Sequence, residues 1–210
     1  MSKCKIDGRI LGPIGTNVYL CFNDETKEGF IVDPVGDITR IDAMIQKNEV
    51  KLVGVLLTHG HFDHIGAADA VREKYGVKIY ASELEAHTLA DPEFNRGVPI
   101  GGVQMSLKAD VSCKDGEVLD LAGFQVQCLS TPGHTEGGMC YYIAEEDVLF
   151  AGDTLFAGTV GRTDLPGGSM GALVNSIKSK LSVLPDSVNV FPGHGGLTTI
   201  QDEKKVNPFL

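Results

Sequence analysis

Thr58-His59-Gly60-His61-Phe62-Asp63-His64 follows directly on the apolar run Lys51 to Leu57, and its reading decides the rest of the chain. The run is short, valine- and leucine-rich and ends at a polar segment, the pattern of a buried strand. Three imidazoles and a carboxylate then fall within residues 59 to 64. In an extended segment His59 and His61 project to the same side, while Asp63 and His64 continue into the turn. Packing gives no reason to gather four metal-competent groups at one strand end, so the stretch predicts a metal site.

Outward from it, strands and helices alternate. Asn17 to Phe22 and Gly29 to Asp33 read as paired strands around Asn23-Asp24-Glu25. Ile38 to Gln46 has helical apolar spacing, and Ile65 to Tyr75 reads as a helix stopped by Gly76. Val77 to Ala81 is a short strand, Glu83 to Ala90 a short exposed helix, and Asp91 to Met105 a long loop near the midpoint. The theme then repeats. Glu117 to Leu121 pairs with Phe124 to Ser130, Gly138 to Ala144 pairs with Asp147 to Ala151, Met170 to Leu181 is an amphipathic helix, and Val188 to Phe191 is a final strand. Sheet and outer helix, twice, predict an α/β chain forming one domain over 1–210. Its two halves, roughly 1–105 and 106–210, would supply two sheets packed face to face with helices outside.

Three later segments share one grammar, an apolar strand followed by a glycine-rich turn with one ligand-type residue. They are Thr131-Pro132-Gly133-His134-Thr135, Gly152-Asp153-Thr154 and Pro192-Gly193-His194-Gly195-Gly196. Loops at strand ends are where a rigid scaffold presents reactive groups. Together the four loops offer His59, His61, Asp63, His64, His134, Asp153 and His194. That set exceeds what one catalytic ion takes and suits two ions sharing a carboxylate. Ligation by N and O alone suits zinc first, with iron or manganese as alternatives. The remaining histidine, His87, reads as a surface residue.

Composition narrows the class. A 42% hydrophobic, 22% charged chain with a net charge of −10 is an ordinary globule without the basic face that nucleic acid demands. No apolar run approaches a membrane span, and Met1 to Gly15 lacks the apolar core of a signal peptide, so the expected location is cytoplasmic. Cys4, Cys21, Cys113, Cys128 and Cys140 are odd in number and never at Cys-x-x-Cys spacing, which argues against a disulfide frame or thiolate zinc site. Oligomeric state leaves no signal.

Thr-His-x-His-x-Asp-His, Thr-Pro-Gly-His-Thr, Gly-Asp-Thr-Leu-Phe and Pro-Gly-His-Gly resemble the metallo-β-lactamase superfamily, and its glyoxalase II-like hydrolases in particular, over nearly the whole chain. The resemblance implies an αββα sandwich of two mixed β-sheets with a dinuclear site at one edge. One ion would take His59, His61 and His134, the other Asp63, His64 and His194, with Asp153 between them. Asp33 would orient ligand imidazoles. Metal-bound water becomes a nucleophile near neutral pH, and a thiolate, with a free-thiol pKa of about 8.5, leaves readily. The implied activity is therefore hydrolysis of a small-molecule thioester, with S-2-hydroxyacylglutathione leading and Asp63 and Asp153 as catalytic carboxylates.

Departures from the family pattern refine this. Lactam-hydrolysing members typically carry a cysteine ligand where Asp153 stands, so lactam hydrolysis is not expected. Gly195 to Leu210 is too short for the C-terminal helical domain with which full-length glyoxalase II grips glutathione. Arg162, in Leu155-Phe156-Ala157-Gly158-Thr159-Val160-Gly161-Arg162, matches a loop whose basic residue contacts substrate, although Asp164 in place of an aromatic allows a plain Arg162–Asp164 salt bridge instead. The rival readings are a persulfide dioxygenase, which shares Gly161-Arg162-Thr163-Asp164 but uses one iron, a lactonase, and a binding module without catalysis.

Overall fold

Alternation along the strands sets the layers. The computed structural model describes residues 3–210; Met1 and Ser2, at the head of the stretch read as lacking a signal peptide, lie outside them. The first sheet has the order β1 (Cys4–Leu11), β2 (Thr16–Asn23), β3 (Glu28–Val32), β4 (Lys51–Leu56), β5 (Lys78–Ser82), β6 (Val111–Cys113). Its first three strands are antiparallel, and β3 to β6 are parallel. In β2 and β3, Cys21, Phe30 and Val32 point into the sandwich, while Leu20 and Ile31 point out. This period of two serves both faces because both are covered.

The outward face packs on α1 (Ile38–Lys47) and α3 (Ala68–Tyr75) through Ile41, Met44, Ile45 and Val71. Helix α1 starts where the Asp37 side chain accepts from the Thr39 N–H at 2.8 Å, satisfying a donor that has no partner within the helix. Helix α3 stops at Gly76, whose φ of 66° lets its N–H reach the Arg72 carbonyl, a left-handed ending favouring glycine. The helix expected over Ile65 to Tyr75 is interrupted near its start. The Ala67 N–H donates to the Pro34 carbonyl at 2.9 Å, so the hydrogen-bond ladder breaks between a separate turn, α2 (Phe62–Ile65), and α3. Asp63 and His64 consequently lie on a helical turn. The helix expected over Glu83 to Ala90 is a tight turn over Glu83–Glu85 followed by α4 (Ala86–Ala90).

The second sheet takes the order β14 (Thr198–Thr199), β13 (Asn189–Pro192), β10 (Val148–Gly152), β9 (Met139–Ile143), β8 (Phe124–Ser130), β7 (Val118–Leu121). It is also mixed, with β10 and β13 parallel and the other pairs antiparallel. A two-strand flap, β11 (Leu155–Phe156) with β12 (Thr159–Val160), stands beside it. Val126, Cys128, Tyr141, Ile143 and Phe150 meet the first sheet, whereas Leu129, Cys140, Tyr142 and Leu149 face outward onto Leu173 of α5 (Met170–Ser176), Ile177 and Leu181. The last helix, α6 (Ile200–Val206), closes this side through Ile200.

The result is an αββα sandwich of two mixed sheets with outer helices. The first sheet extends through β6, so the division between sheets falls after Cys113 rather than at 105/106. Cys21, Cys113, Cys128 and Cys140 are free thiols, and among the described residues no helix is long and apolar enough to cross a membrane.

Candidate metal centre

Five strand ends converge at one edge of the sandwich. From the first sheet come Asp33 after β3, His59 and His61 after β4, and Asp63 and His64 on α2. From the second come His134 after β8, Asp153 after β10 and His194 after β13. All seven expected ligand residues meet there. His59, His61 and His134 form one group, and Asp63, His64 and His194 another; His59, His64 and Asp153 form a third between them. Within each group the donor atoms lie within 4.8 Å of one another. His87 stands apart, exposed, near Asp91 at 3.7 Å.

Hydrogen bonds behind the cluster fix which ring nitrogens carry protons. Asp33 takes the left-handed backbone at φ 50°, a conformation uncommon outside glycine and cheapest for Asn or Asp. From there its carboxylate accepts from the Thr58 N–H at 2.8 Å, from Thr58 Oγ1 at 2.6 Å and from His64 Nδ1 at 2.9 Å. Because the single Thr58 hydroxyl proton goes to Asp33, Thr58 Oγ1 accepts from His59 Nδ1, 3.1 Å away. His134 Nδ1 donates to the Arg162 carbonyl at 2.7 Å. Each ring thus commits its Nδ1 to a partner outside the cluster and turns Nε2 inward, the nitrogen that a metal would take in place of a proton.

The His194 loop of the second sheet is held by β2 of the first. Asn17 Nδ2 donates to the Pro192 and Gly195 carbonyls at 3.0 Å each, the Asn17 N–H donates to the Gly193 carbonyl at 2.7 Å, and Tyr19 Oη donates to the Pro192 carbonyl at 2.8 Å. Gly193 is needed for a further reason. A Cβ there would collide with the Asp153 carboxylate and come within 2.7 Å of the His64 ring.

Charge within the cluster is unbalanced in a way a cation would correct. Burial and then its histidine neighbours hold His59 far below the usual imidazole range. Burial and His134, with a smaller push from Arg96, hold His61 down to about 3. Burial also works against protonation of His64, yet Asp153, Asp63 and Asp33 draw a proton onto it and raise it well above that range. Burial alone would raise the Asp63 carboxyl, but His64 and the hydrogen bond from His194 hold it far down. Among the described residues, His59 Nε2 and Asp153 Oδ1 are buried without a hydrogen-bond partner. Buried polar atoms are ordinarily paired. These orphans aim into a set of N and O donors without thiolate, so the residues fit divalent transition ions.

The cluster floors a cleft of about 570 Å³ whose walls are Ile14, Phe62, Ile100, Phe156, Val160 and Leu165. Arg162 lines it too, but its guanidinium is held by Asp164 through two 2.7 Å bonds. Two further residues serve the site without a signal in the motifs. Thr16 Oγ1 donates to Asp63 at 3.3 Å, and the buried Glu85 accepts from Thr135 Oγ1 and the Gly137 N–H, tethering the His134 loop. Glu85, Thr88 and Leu89 share the buried side of their segment, an i, i+3, i+4 spacing that marks an inward face.

A family model described as the metallo-beta-lactamase superfamily matches residues 11–194. The chain belongs to that superfamily. A Bacillus subtilis relative named "Probable metallo-hydrolase YqgX" is 39% identical over 95% of this chain and 94% of its own length. The hydroxyacylglutathione hydrolase GloC of Haemophilus influenzae is 39% identical over 92% of each. Among solved structures, the BLEG-1 B3 metallo-beta-lactamase superposes with a TM-score of 0.93 at 40% identity, covering 98% of this chain and 99% of that one. TTHA1623 in a di-iron-bound form gives 0.85 at 34%, with 97% and 100% covered. ETHE1 from Myxococcus xanthus gives 0.82 at 29%, with 97% and 83% covered. The superfamily and the His/Asp cluster together make the protein a metal-dependent hydrolase by class.

Proposed function

We propose that the protein hydrolyses small thioesters, with S-2-hydroxyacylglutathione as the leading substrate, and works with two divalent ions. His59, His61 and His134 would hold one ion, Asp63, His64 and His194 the other, and Asp153 would serve both. The observation that carries this reading is the convergence of the inward Nε2 atoms of His59, His64 and His134 with two carboxylates on the cleft floor. The 39% identity to GloC favours the substrate class. When bound, such ions supply Lewis acidity to a carbonyl and acidify water to a usable nucleophile.

The chain's own residues do the remaining work. Asp63, fixed by Thr16 and His194, offers a rigid acceptor that orients the attacking water. The C–O bond forms as the C–S bond breaks, and the thiolate leaves without obligatory protonation. The apolar walls of Phe62, Phe156 and Leu165 restrict bulk water around the acyl group.

Metal content on protein purified without added metal, paired with turnover of S-D-lactoylglutathione, tests the proposal. Two ions per chain with turnover and no oxygen uptake support it. One iron with oxygen uptake on glutathione persulfide would replace it by the dioxygenase reading. The likeness to BLEG-1 favours lactam hydrolysis as a second reading, checked by adding a chromogenic cephalosporin to the same assay.

A further inference from the structure

Arg96 is the one cation on the cleft wall whose charge the described residues leave unanswered. Two arginines line the cleft. Arg162 spends its guanidinium on Asp164. Arg96 makes one hydrogen bond, from Nη1 to the Glu93 carbonyl at 3.1 Å, and its Nε is buried without a partner. Among the described residues no carboxylate pairs with it. A half-buried guanidinium beside apolar walls has surrendered hydration without receiving an anion in exchange, and leaving a donor in that state costs free energy.

The backbone is committed to holding it there. Arg96 has φ 65°, an uncommon left-handed position for a long side chain. Strain of this kind concentrates at ligand sites. The next residues wrap around it, with the Ile100 and Gly101 N–H groups donating to the Arg96 carbonyl at 3.1 and 3.2 Å. On its other side the buried Asn95 accepts from the Phe62 N–H at 2.7 Å through its carbonyl and donates to the Met105 carbonyl at 2.8 Å. The loop bearing Arg96 is thus fastened to the residue next to His61.

We infer that Arg96 is a specificity-determining residue that binds a carboxylate of the substrate while the thioester lies over the His/Asp floor. This rests on the thioesterase reading and narrows it to anionic thioesters. The planar fork suits a carboxylate, which accepts two parallel N–H bonds. The carboxylate belongs either to the thiol portion or to the acyl portion, and the test separates these sources.

Two matched pairs are assayed on metal-loaded protein. S-lactoyl-N-acetylcysteine is compared with its neutral amide, and S-succinyl-N-acetylcysteamine with its methyl ester. One charge-assisted bond corresponds to roughly a 10- to 100-fold preference. The anionic member of one pair should be preferred by that factor in kcat/KM, carried mainly by KM. In Arg96→Gln the ratio should fall to near one, and Arg96→Lys should retain part of it. The pair that shows the effect identifies the source. Equal rates for both members of both pairs in the parent protein, or a preference that survives Arg96→Gln, would overturn the inference.

Absence of turnover on all four thioesters would defeat the thioesterase reading itself. Arg96 is then judged by calorimetric affinity for non-hydrolysable thioether analogues of the same pairs. A carboxylate advantage of the same size, lost in Arg96→Gln, upholds anion binding, and equal affinities refute it.

Discussion

Asp33→Asn changes one atom and, on the hydrogen-bond logic above, reverses two imidazoles. Three donors converge on Asp33: the Thr58 N–H, the Thr58 hydroxyl and His64 Nδ1. An amide offers one oxygen, and the backbone N–H cannot turn away, so that oxygen must face it. The new NH2 then points at Thr58 Oγ1 and His64 Nδ1. His64 can accept only by moving its proton to Nε2, and Thr58 must send its own proton to His59 Nδ1, which moves the His59 proton to Nε2 as well. Both metal-facing nitrogens become blocked. Restoring either ring forfeits a hydrogen bond, about 1.5–3 kcal/mol for a charge-assisted one, and changing the group that holds a ligand imidazole lowers metal affinity about 10- to 100-fold. Because His59 belongs to the His59–His61–His134 group and His64 to the Asp63–His64–His194 group, weakening is expected at both. Asn tolerates the left-handed backbone at 33, so folding should survive. Competition against a chromophoric chelator measures the affinities, and long-range 15N NMR of the metal-free protein reads the tautomer of His59, the ring held neutral. Parental affinity in a folded Asp33→Asn variant would refute the argument.

Metal-free protein should lose stability as pH falls from about 6.5, the unfolded imidazole value, towards the His61 value of about 3. His59 and His61 are depressed in the fold, so their contribution is present above 6.5 and disappears below it, at about 1.4 kcal/mol per pH unit for each proton taken up. His64 and His194 are raised; their contribution is complete below 6.5 and cannot offset the loss, which urea melts across pH would follow. Gly193→Ala should sharply reduce bound metal, read by elemental analysis, because the new methyl occupies the space between Asp153 and His64; overpacking of this kind costs about 1–3 kcal/mol in stability. Arg162→Ala should leave metal content unchanged, since His134 uses the Arg162 carbonyl. Its exposed ion pair with Asp164 should matter to thermal unfolding by less than about 1 kcal/mol.

Legibility from sequence followed the range of the interactions. The seven cluster residues could be read because each sits in a short motif at the end of an apolar strand. The inner strands could be read because β2, β9 and β10 are buried throughout. Strand β1 left little signal because it is an edge strand with charged residues on its open side. Helix α6 was hidden because Ile200 is its only buried apolar residue. The break between α2 and α3 depends on the Pro34 carbonyl, beyond the reach of local spacing. Asn17 and Glu85 acquire their roles only through partners distant in sequence.

The stitching of the His194 loop to Asn17 and Tyr19 also orders events during biosynthesis. Domains fold largely as units while the chain emerges N-terminal first. Strands β1 to β6 can pair before β13 has been translated, yet β2 lacks the carbonyls of Pro192, Gly193 and Gly195 that its side chains and backbone engage. The seven-residue cluster likewise waits for its last member. The His59–His61–His134 group is complete before β13 is translated, whereas the Asp63–His64–His194 group must wait for it, so the two halves of the cluster are finished at different times.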